Sequence, residues 1–522
     1  MNPESSQRRR WYILGVMVVS LLVVVLDNTV LNVAIKTIAD PEKGLGATQS
    51  QLEWSINSYT LVFAGLLFTF GVIGDRLGRK RLLAAGMVVF GLASLLSAYA
   101  QSPMQLILAR ALMGLGGAAV MPQTLSIITN VFEPRERGKA IGIWTGAVGL
   151  GVAIGPVTGG LLLGHFWWGS VFLINVPVIA AGLIALFVLV PESRNPQPGG
   201  IDPIGVLLSI VGLVTLSYGI IQGGDKGSWL EPGVLGPIFA GLAVLALFVR
   251  HEARTDHPAF DVRLFREPRL STAVAAITFC FFAAAGVFFF MSFYLQSVRG
   301  LTPLESGAML LPFAAAQLTF APRSAAMVGR FGAKAVCTAG LLMVTLALIG
   351  YQLINESSPI WVVAAILLVQ GIGMANVMPP ATESIMAALP KEKAGAGSAI
   401  NNTARQVAVA MGVAVLGSVV AAVYRGELSS RLDALPPGPR HLAGESIEGT
   451  MAVAQRLGPA GQSLIDPAHA AFVHAIHTAA AAAAVIAFIG ALMVFTWMPG
   501  RPAAVRRRGG EAAVPERETA GV

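Results

Sequence analysis

Gly114-Leu-Gly-Gly-Ala-Ala-Val-Met-Pro122 recurs as Gly371-Ile-Gly-Met-Ala-Asn-Val-Met-Pro379, 257 positions later and identical at six of nine positions. Arg76-Leu-Gly-Arg-Lys80 is echoed by Arg330-Phe-Gly-Ala-Lys334, 254 positions later. Pro134-Arg-Glu-Arg137 is echoed in turn by Pro390-Lys-Glu-Lys393. Near-constant offsets over separate segments mark two homologous halves. How the halves are disposed depends on what lies between the copies.

What lies between them is apolar. The 522 residues are 55% hydrophobic and 12% charged, against roughly 25% charged in soluble domains. The chain reads as an integral membrane protein. Apolar runs of about 18–25 residues place about fourteen spans, near 11–35, 53–74, 81–100, 104–130, 139–163, 171–191, 204–222, 233–250, 271–297, 305–328, 334–354, 360–388, 396–424 and 474–498. The first run is too long for a signal peptide and carries Asp27, so it is expected to be a retained span. An even number of spans separates equivalent points of the repeat. The halves therefore have the same orientation, as parallel repeats about an axis along the membrane normal. The expected fold is all-α: six-helix bundles at 11–191 and 271–498, with two inserted helices at 204–250.

With the N-terminus in the cytoplasm, most of the 36 Lys and Arg fall in cytoplasmic segments, as the positive-inside bias requires. Residues 1–10 and 499–522 are then a cytoplasmic N-terminus and tail. The formal charge of +8 is spread over many short loops, which argues against a nucleic-acid partner. The outer loop at 425–473 fits either a small helical hairpin, with helices near Ser446 to Leu457 and from Pro467, or a disordered segment. Cys280 and Cys337 lie in apolar runs and read as buried small hydrophobes rather than a disulfide.

The duplication makes the unduplicated residues informative. Asp27, in Leu21-Leu-Val-Val-Val-Leu-Asp-Asn-Thr-Val-Leu-Asn-Val-Ala34, aligns with the apolar stretch Phe281 to Ala285. Arg110 aligns with Leu367, and Asp75 with Gly329. By residue count Asp27 and Arg110 both lie roughly 9–12 Å below the outer surface, at 1.5 Å per residue. If their helices are neighbours they can meet. The pair reads as a proton-coupling and cation-binding site, since intramembrane ions usually mark a transport path; the rival is a fixed ion pair that locks helix packing.

Gly71-Val-Ile-Gly-Asp75-Arg76-Leu-Gly78-Arg79-Lys80-Arg81 forms a short cytoplasmic turn. Gly78 permits the tight bend, and Asp75 can bind an Arg or a helix N-terminus in one conformation and release it in another. An ordinary basic turn reads equally well. Gly151, Gly155, Gly159 and Gly160 give the fifth span a small-residue face for close helix contact, and Pro156 in the same turn suits a hinge or sealed seam. In the second half Glu383 and Arg405 can lie at similar depth, which allows a structural or gating pair, although two unrelated charges read better. Trp54, Tyr59, Phe63, Trp144, Phe288, Phe289, Phe290 and Tyr294 are candidates for an aromatic cavity suited to cations, although such residues commonly face lipid or core. No phosphate-binding, metal-ligating or nucleophile motif appears, so neither an enzyme nor an ATP-driven pump is expected.

At these residues the chain resembles the major facilitator superfamily, and within it the 14-span drug:proton antiporters. Gly71 to Leu83 resembles the superfamily's loop signature, and Arg110 with Gly114 and Gly116 its fourth-span signature. Gly151 to Gly160 resembles the antiporter signature of exporters. Leu26-Asp27-Asn-Thr-Val-Leu-Asn-Val-Ala34 and Phe172-Leu-Ile-Asn-Val-Pro177 are typical of the 14-span group. Trp167-Trp168-Gly169-Ser170 and the long outer loop look closer to quaternary-ammonium exporters of the QacA type. The resemblance implies a monomer in the cytoplasmic membrane with no cofactor. It implies export of lipophilic, often cationic, compounds driven by the proton gradient. Proton exchange would occur at Asp27, coupled through Arg110, with Asp75, Arg76, Gly78 and Arg79 as the conformational switch. An exporter of one endogenous lipid or secondary metabolite is the alternative, as is a non-transporting scaffold or sensor.

Overall fold

The computed structural model describes residues 3–39, 44–47, 49–194, 202–226, 229–255, 262–433 and 435–500. The tail assigned to 499–522 lies almost wholly outside them. Fourteen long helices carry the architecture: α1 (Pro3–Ala39), α2 (Gln49–Leu77), α3 (Arg79–Ala98), α4 (Pro103–Val131), α5 (Pro134–His165), α6 (Ser170–Leu189), α7 (Pro203–Lys226), α8 (Pro232–Glu252), α9 (Pro268–Phe293), α10 (Leu311–Phe331), α11 (Ala333–Gly350), α12 (Ile360–Ala387), α13 (Ala394–Leu432) and α14 (Ile465–Trp497). No strand occurs among the described residues. Helices α4, α5, α7, α8 and α9 all begin on proline, whose missing N–H costs nothing in a first turn and whose fixed φ suits one. Ser102 adds a cap to α4 by accepting from the Gln105 amide.

The packing repeats as the sequence does. Helices α2 and α3 lie along α4, and α10 and α11 lie along α12. Likewise α1 packs on α5, and α9 on α13. The halves meet where α5 runs along α10 and where α2 runs along α13, which is one pairing seen twice through the pseudo-two-fold. The inserted α7 and α8 pack on each other, with α7 against both α2 and α13. Large apolar side chains such as Leu92, Ile184, Phe239, Phe488 and Phe495 are exposed, which suits a surface facing acyl chains.

Thirteen helices among the described residues are long and apolar enough to cross a membrane, one fewer than the sequence suggested. The exception is α10, the expected span 305–328. Its run is broken, with a short helix at Pro303–Ala308 before α10 itself, and it carries Gln317, Arg323 and Arg330. Gln317 is buried against α5, whereas Arg323 and Arg330 are exposed in the C-terminal half of the helix.

The described residues of the 425–473 loop are mostly helical. Helix α13 continues to Leu432, eight residues past the expected end, and α14 begins at Ile465 rather than 474. Two short α-helices, Pro437–Glu445 and Ile447–Leu457, and a 3-10 turn at Gly458–Leu464 lie between. Ser446 caps the second by accepting from the Gly449 amide. Tyr424 and Thr450 share a 2.7 Å hydrogen bond that ties this hairpin to the extension of α13. Cys280 and Cys337 are buried free thiols.

Candidate functional site

Asp27 and Arg110 meet. Arg110 Nη1 donates to Asp27 Oδ2 across α1 and α4, and both residues are buried, at 2% and 0% exposure. Arg110 Nε also donates to the Ser55 carbonyl at 3.3 Å, and its guanidinium lies 4.4 Å from the centre of the Tyr59 ring. The other carboxylate oxygen, Asp27 Oδ1, accepts from Asn175 Nδ2 at 3.1 Å. Asn175 Nδ2 reaches Ser94 Oγ as well, at 3.3 Å. Thus α1, α2, α3, α4 and α6 converge on one carboxylate. Charge-assisted bonds in a site of low dielectric are stronger than those in water, so Arg110 and Asn175 together fix the position of the Asp27 side chain. Asn175 lies in the quoted Phe172 to Pro177 segment, but without a charge it gave no sign of this role.

Two cavity candidates belong to this cluster. Tyr59 is buried beneath Arg110 and accepts from Asn28 Nδ2 at 3.1 Å, and Phe63 stacks on the Tyr59 ring. The others lie elsewhere. Trp54 is half-exposed and stacks on Tyr218 of α7. Trp144 is buried and donates to Thr124 Oγ1 at 3.1 Å. The Tyr294 hydroxyl donates to the Asn355 carbonyl at 2.7 Å, in a loop beyond the spans. Phe289 and Phe290 make edge contacts with each other; the side chain of Phe288 lies outside the described residues. The described aromatics therefore sit in different settings, at the ion pair, on α7, against Thr124 and at a loop.

A second cluster joins the halves at the face that carries the chain's N-terminus. Arg79 binds Asp75 Oδ1 through Nη2 at 2.7 Å and Nε at 2.9 Å. The same carboxylate accepts from the Gly395 amide at 2.9 Å and the Ala396 amide at 3.2 Å. These amides open α13, where unpaired N–H groups and the helix dipole favour an anion. Arg79 Nη2 continues to the carbonyl of Lys391, at 2.9 Å. Arg79, not Arg76, is thus the partner of Asp75. Gly78 adopts φ 115, which a side chain would strain, and its neighbour Arg79 donates its amide to the Ser193 carbonyl at 2.9 Å. Gly71 and Gly395 let α2 and α13 touch: a methyl group at Gly71 would lie 2.6 Å from both Ala399 Cβ and the Gly395 carbonyl.

The glycines of α5 divide between two partners. Gly151 and Gly155 face α1, where a methyl group at Gly151 would lie 2.8 Å from Val25 and one at Gly155 would overlap Thr29. Pro156 touches Gly307 in the second half. Gly159 is buried, while Gly160 has open space around it. A second face meets the other half: Gly138, Gly142 and Gly146, at four-residue spacing, abut Ala325, Ala321 with Pro322, and Leu318 of α10. That spacing was visible as a small-residue stripe.

Glu383 and Arg405 do not pair. Glu383 Oε1 lies 3.8 Å from Arg137 Nη1 of α5, so its ion pair bridges the halves rather than α12 and α13. Arg405 is 5% exposed; its Nη2 contacts Met121 Sδ at 3.3 Å and its guanidinium lies 5.9 Å from the Phe281 ring centre. No group of His, Cys, Asp and Glu suited to hold a metal occurs among the described residues.

Two pseudo-symmetric helical halves, an intramembrane ion pair in one, and a polar latch between them define a multi-pass membrane transporter. Residues 17–413 match the Major Facilitator Superfamily, and the chain belongs to that family. It is 35% identical to the multidrug efflux pump LfrA of Mycolicibacterium smegmatis, over 93% of this chain and 96% of that one. It is 33% identical to the methyl viologen resistance protein SmvA of Salmonella typhimurium, covering 89% and 93%. It is 31% identical to the tetracenomycin C resistance and export protein of Streptomyces glaucescens, covering 96% and 94%. Among solved structures, the human organic anion transporter MFSD10 shares the fold with a TM-score of 0.61 at 16% identity, covering 95% of this chain and all of that one.

Proposed function

We propose that the chain is a proton-coupled antiporter that exports lipophilic compounds, cationic drugs and dyes among them, across the cytoplasmic membrane. The observation that carries this reading is the buried Asp27–Arg110 pair with Asn175 on the second carboxylate oxygen. A proton arriving at Asp27 removes the charge that holds Arg110, and its departure restores the pair. The pair thus gives a proton a mechanical consequence between α1 and α4. Relatives named for multidrug efflux, methyl viologen resistance and tetracenomycin C export support the direction of transport.

In this reading the bundles at 11–191 and 271–498 rock about a central substrate path, with both termini cytoplasmic and a single chain as the working unit. The Asp75–Gly395 latch then closes the cytoplasmic end, so the conformation described is shut towards the cytoplasm. The proton gradient is the energy source, with no cofactor. The test is ethidium efflux from cells expressing wild type or Asp27→Asn, with and without a protonophore. Protonophore-sensitive efflux that Asp27→Asn abolishes, at equal membrane abundance, is expected. Efflux that survives either treatment overturns proton coupling at Asp27.

A further inference from the structure

Arg79, Arg110, Arg137 and Arg405 are all buried. The first three each have a carboxylate partner; Arg405 has none among the described residues. Arg405 Nη1 is buried without a hydrogen-bond partner among the described residues, and Nη2 touches only the weakly accepting sulfur of Met121. No carboxylate lies within ion-pair distance of this guanidinium among the described residues. An unpaired buried charge is among the costliest groups a protein can carry. In a membrane it marks a ligand path unless a partner is found.

Its position suits a ligand. Arg405 lies eleven residues after the start of α13 at Ala394, about 17 Å into a hydrocarbon layer about 30 Å thick. It therefore sits near the midplane, and it points from the second half onto Met121 of α4 in the first. One turn earlier on the same side of α13, Asn401 is fully buried and its Nδ2 also lacks an acceptor. Its Oδ1 is already occupied, accepting from Thr382 at 2.8 Å. Two unsatisfied donors four residues apart share one helix face, beside the Phe281 ring.

We propose that Arg405, with Asn401, is the recognition point for an oxyanion, a carboxylate or phenolate, carried by an aromatic lipophilic substrate. This rests on the transport reading and specifies its substrate class. Asp27 is already held by Arg110 and Asn175, so the unmatched charge at the seam of the halves is positive. Such a site prefers a zwitterion or weak acid to a simple cation. The guanidinium takes the two oxygens of a carboxylate side by side, and the aromatic body packs on Phe281 and Met121.

Rhodamine B and its ethyl ester test this, because they share one cationic ring system and differ in a free carboxylate. Fluorescence anisotropy with the purified full chain measures binding of each, against protein-free micelles. Wild type is expected to bind rhodamine B about tenfold tighter than the ester, and Arg405→Gln is expected to erase the difference by weakening rhodamine B alone. Should Arg405→Gln fail to purify as a monodisperse protein, Arg405→Lys decides: without the planar fork the preference falls at least about threefold. Equal binding of the two dyes by wild type, binding of neither, or a preference that survives the substitution overturns the proposal. Protonophore-sensitive export of the ester by a protein that does not distinguish the dyes would leave the transport reading intact and remove this one.

Discussion

The carboxylate of Asp75, at the end of α2, accepts hydrogen bonds from the backbone amide of Gly395, the second residue of α13, at 2.9 Å. One residue belongs to each half, so this bond exists only while the halves are closed on each other at that face. Arg79 holds the carboxylate from behind and reaches the Lys391 carbonyl itself. Asp75→Asn keeps the shape but loses the anion. Hydrogen bonds to charged groups contribute about 1.5–3 kcal/mol, so closure should weaken by roughly tenfold or more. In a background of Cys280→Ser and Cys337→Ser, a cysteine placed by Ser398→Cys reports closure, since Ser398 is fully buried next to the latch. Its labelling by a membrane-impermeant thiol reagent from the N-terminal face should rise about tenfold in Asp75→Asn.

Arg110→Lys should fail as a conservative change. The guanidinium contacts Asp27, the Ser55 carbonyl and the Tyr59 ring at once, three partners in different directions, besides Met113 and the Phe172 ring. A lysine ammonium is a single point on a flexible stem and cannot make all three. Proton-driven ethidium efflux is expected to fall by roughly tenfold or more, while the thermal midpoint of the purified protein shifts only a few degrees. Wild-type efflux in Arg110→Lys would mean that charge alone, not its geometry, serves coupling.

The sequence disclosed these sites unevenly. Asp27 and Arg110 were legible because a charge inside an apolar run is costly, because neither has a second copy, and because residue counting gives depth. The fold was legible through the repeat, which leaves near-constant offsets, 257 between Gly114 and Gly371 and 254 between Arg76 and Arg330. For Asp75 the kind of partner was legible, an Arg or a helix N-terminus, but not which helix, since backbone amides at Gly395 and Ala396 leave no side-chain signature. Asn175 lacks a charge to betray it. Arg137 sits in Pro134 to Arg137, a duplicated basic turn, so nothing set it apart until the structure placed it against Glu383. Glu383 and Arg405, a pair that similar depth made possible, do not meet, because depth along two helices says nothing of the angle at which each side chain leaves its helix.

The glycines of α5 should respond according to what each one touches. A methyl group at Gly142 would lie 2.5 Å from the Ala321 carbonyl and 2.7 Å from Pro322 Cα, both backbone atoms that cannot step aside. Overpacking of this kind costs about 1–3 kcal/mol, and here the seam between halves must absorb it. Gly142→Ala is expected to lower the thermal midpoint and to reduce efflux. Gly160→Ala, within the quoted antiporter signature, meets open space and should stay within about 0.5 kcal/mol of wild type. Thermal unfolding of the two purified variants, alongside efflux, separates a contact requirement from a requirement for the signature as such.

Glu383 and Arg137 offer a test by charge exchange. They lie 3.8 Å apart across the seam between α5 and α12, with side chains 23% and 6% exposed. Arg137→Glu sets two carboxylates against each other in a mostly buried place. Both the like-charge repulsion and the lost pair destabilise the closed seam, by about 3 kcal/mol or more when one partner of a buried pair is removed. Glu383→Arg does the same with two cations. The double exchange, Arg137→Glu with Glu383→Arg, restores opposite charge at the same positions. If the pair works as a pair, each single variant lowers efflux and thermal midpoint, and the double variant recovers a substantial part of both. A double variant no better than the sum of the singles would show that Arg137 and Glu383 act separately, and that the seam does not depend on their mutual attraction.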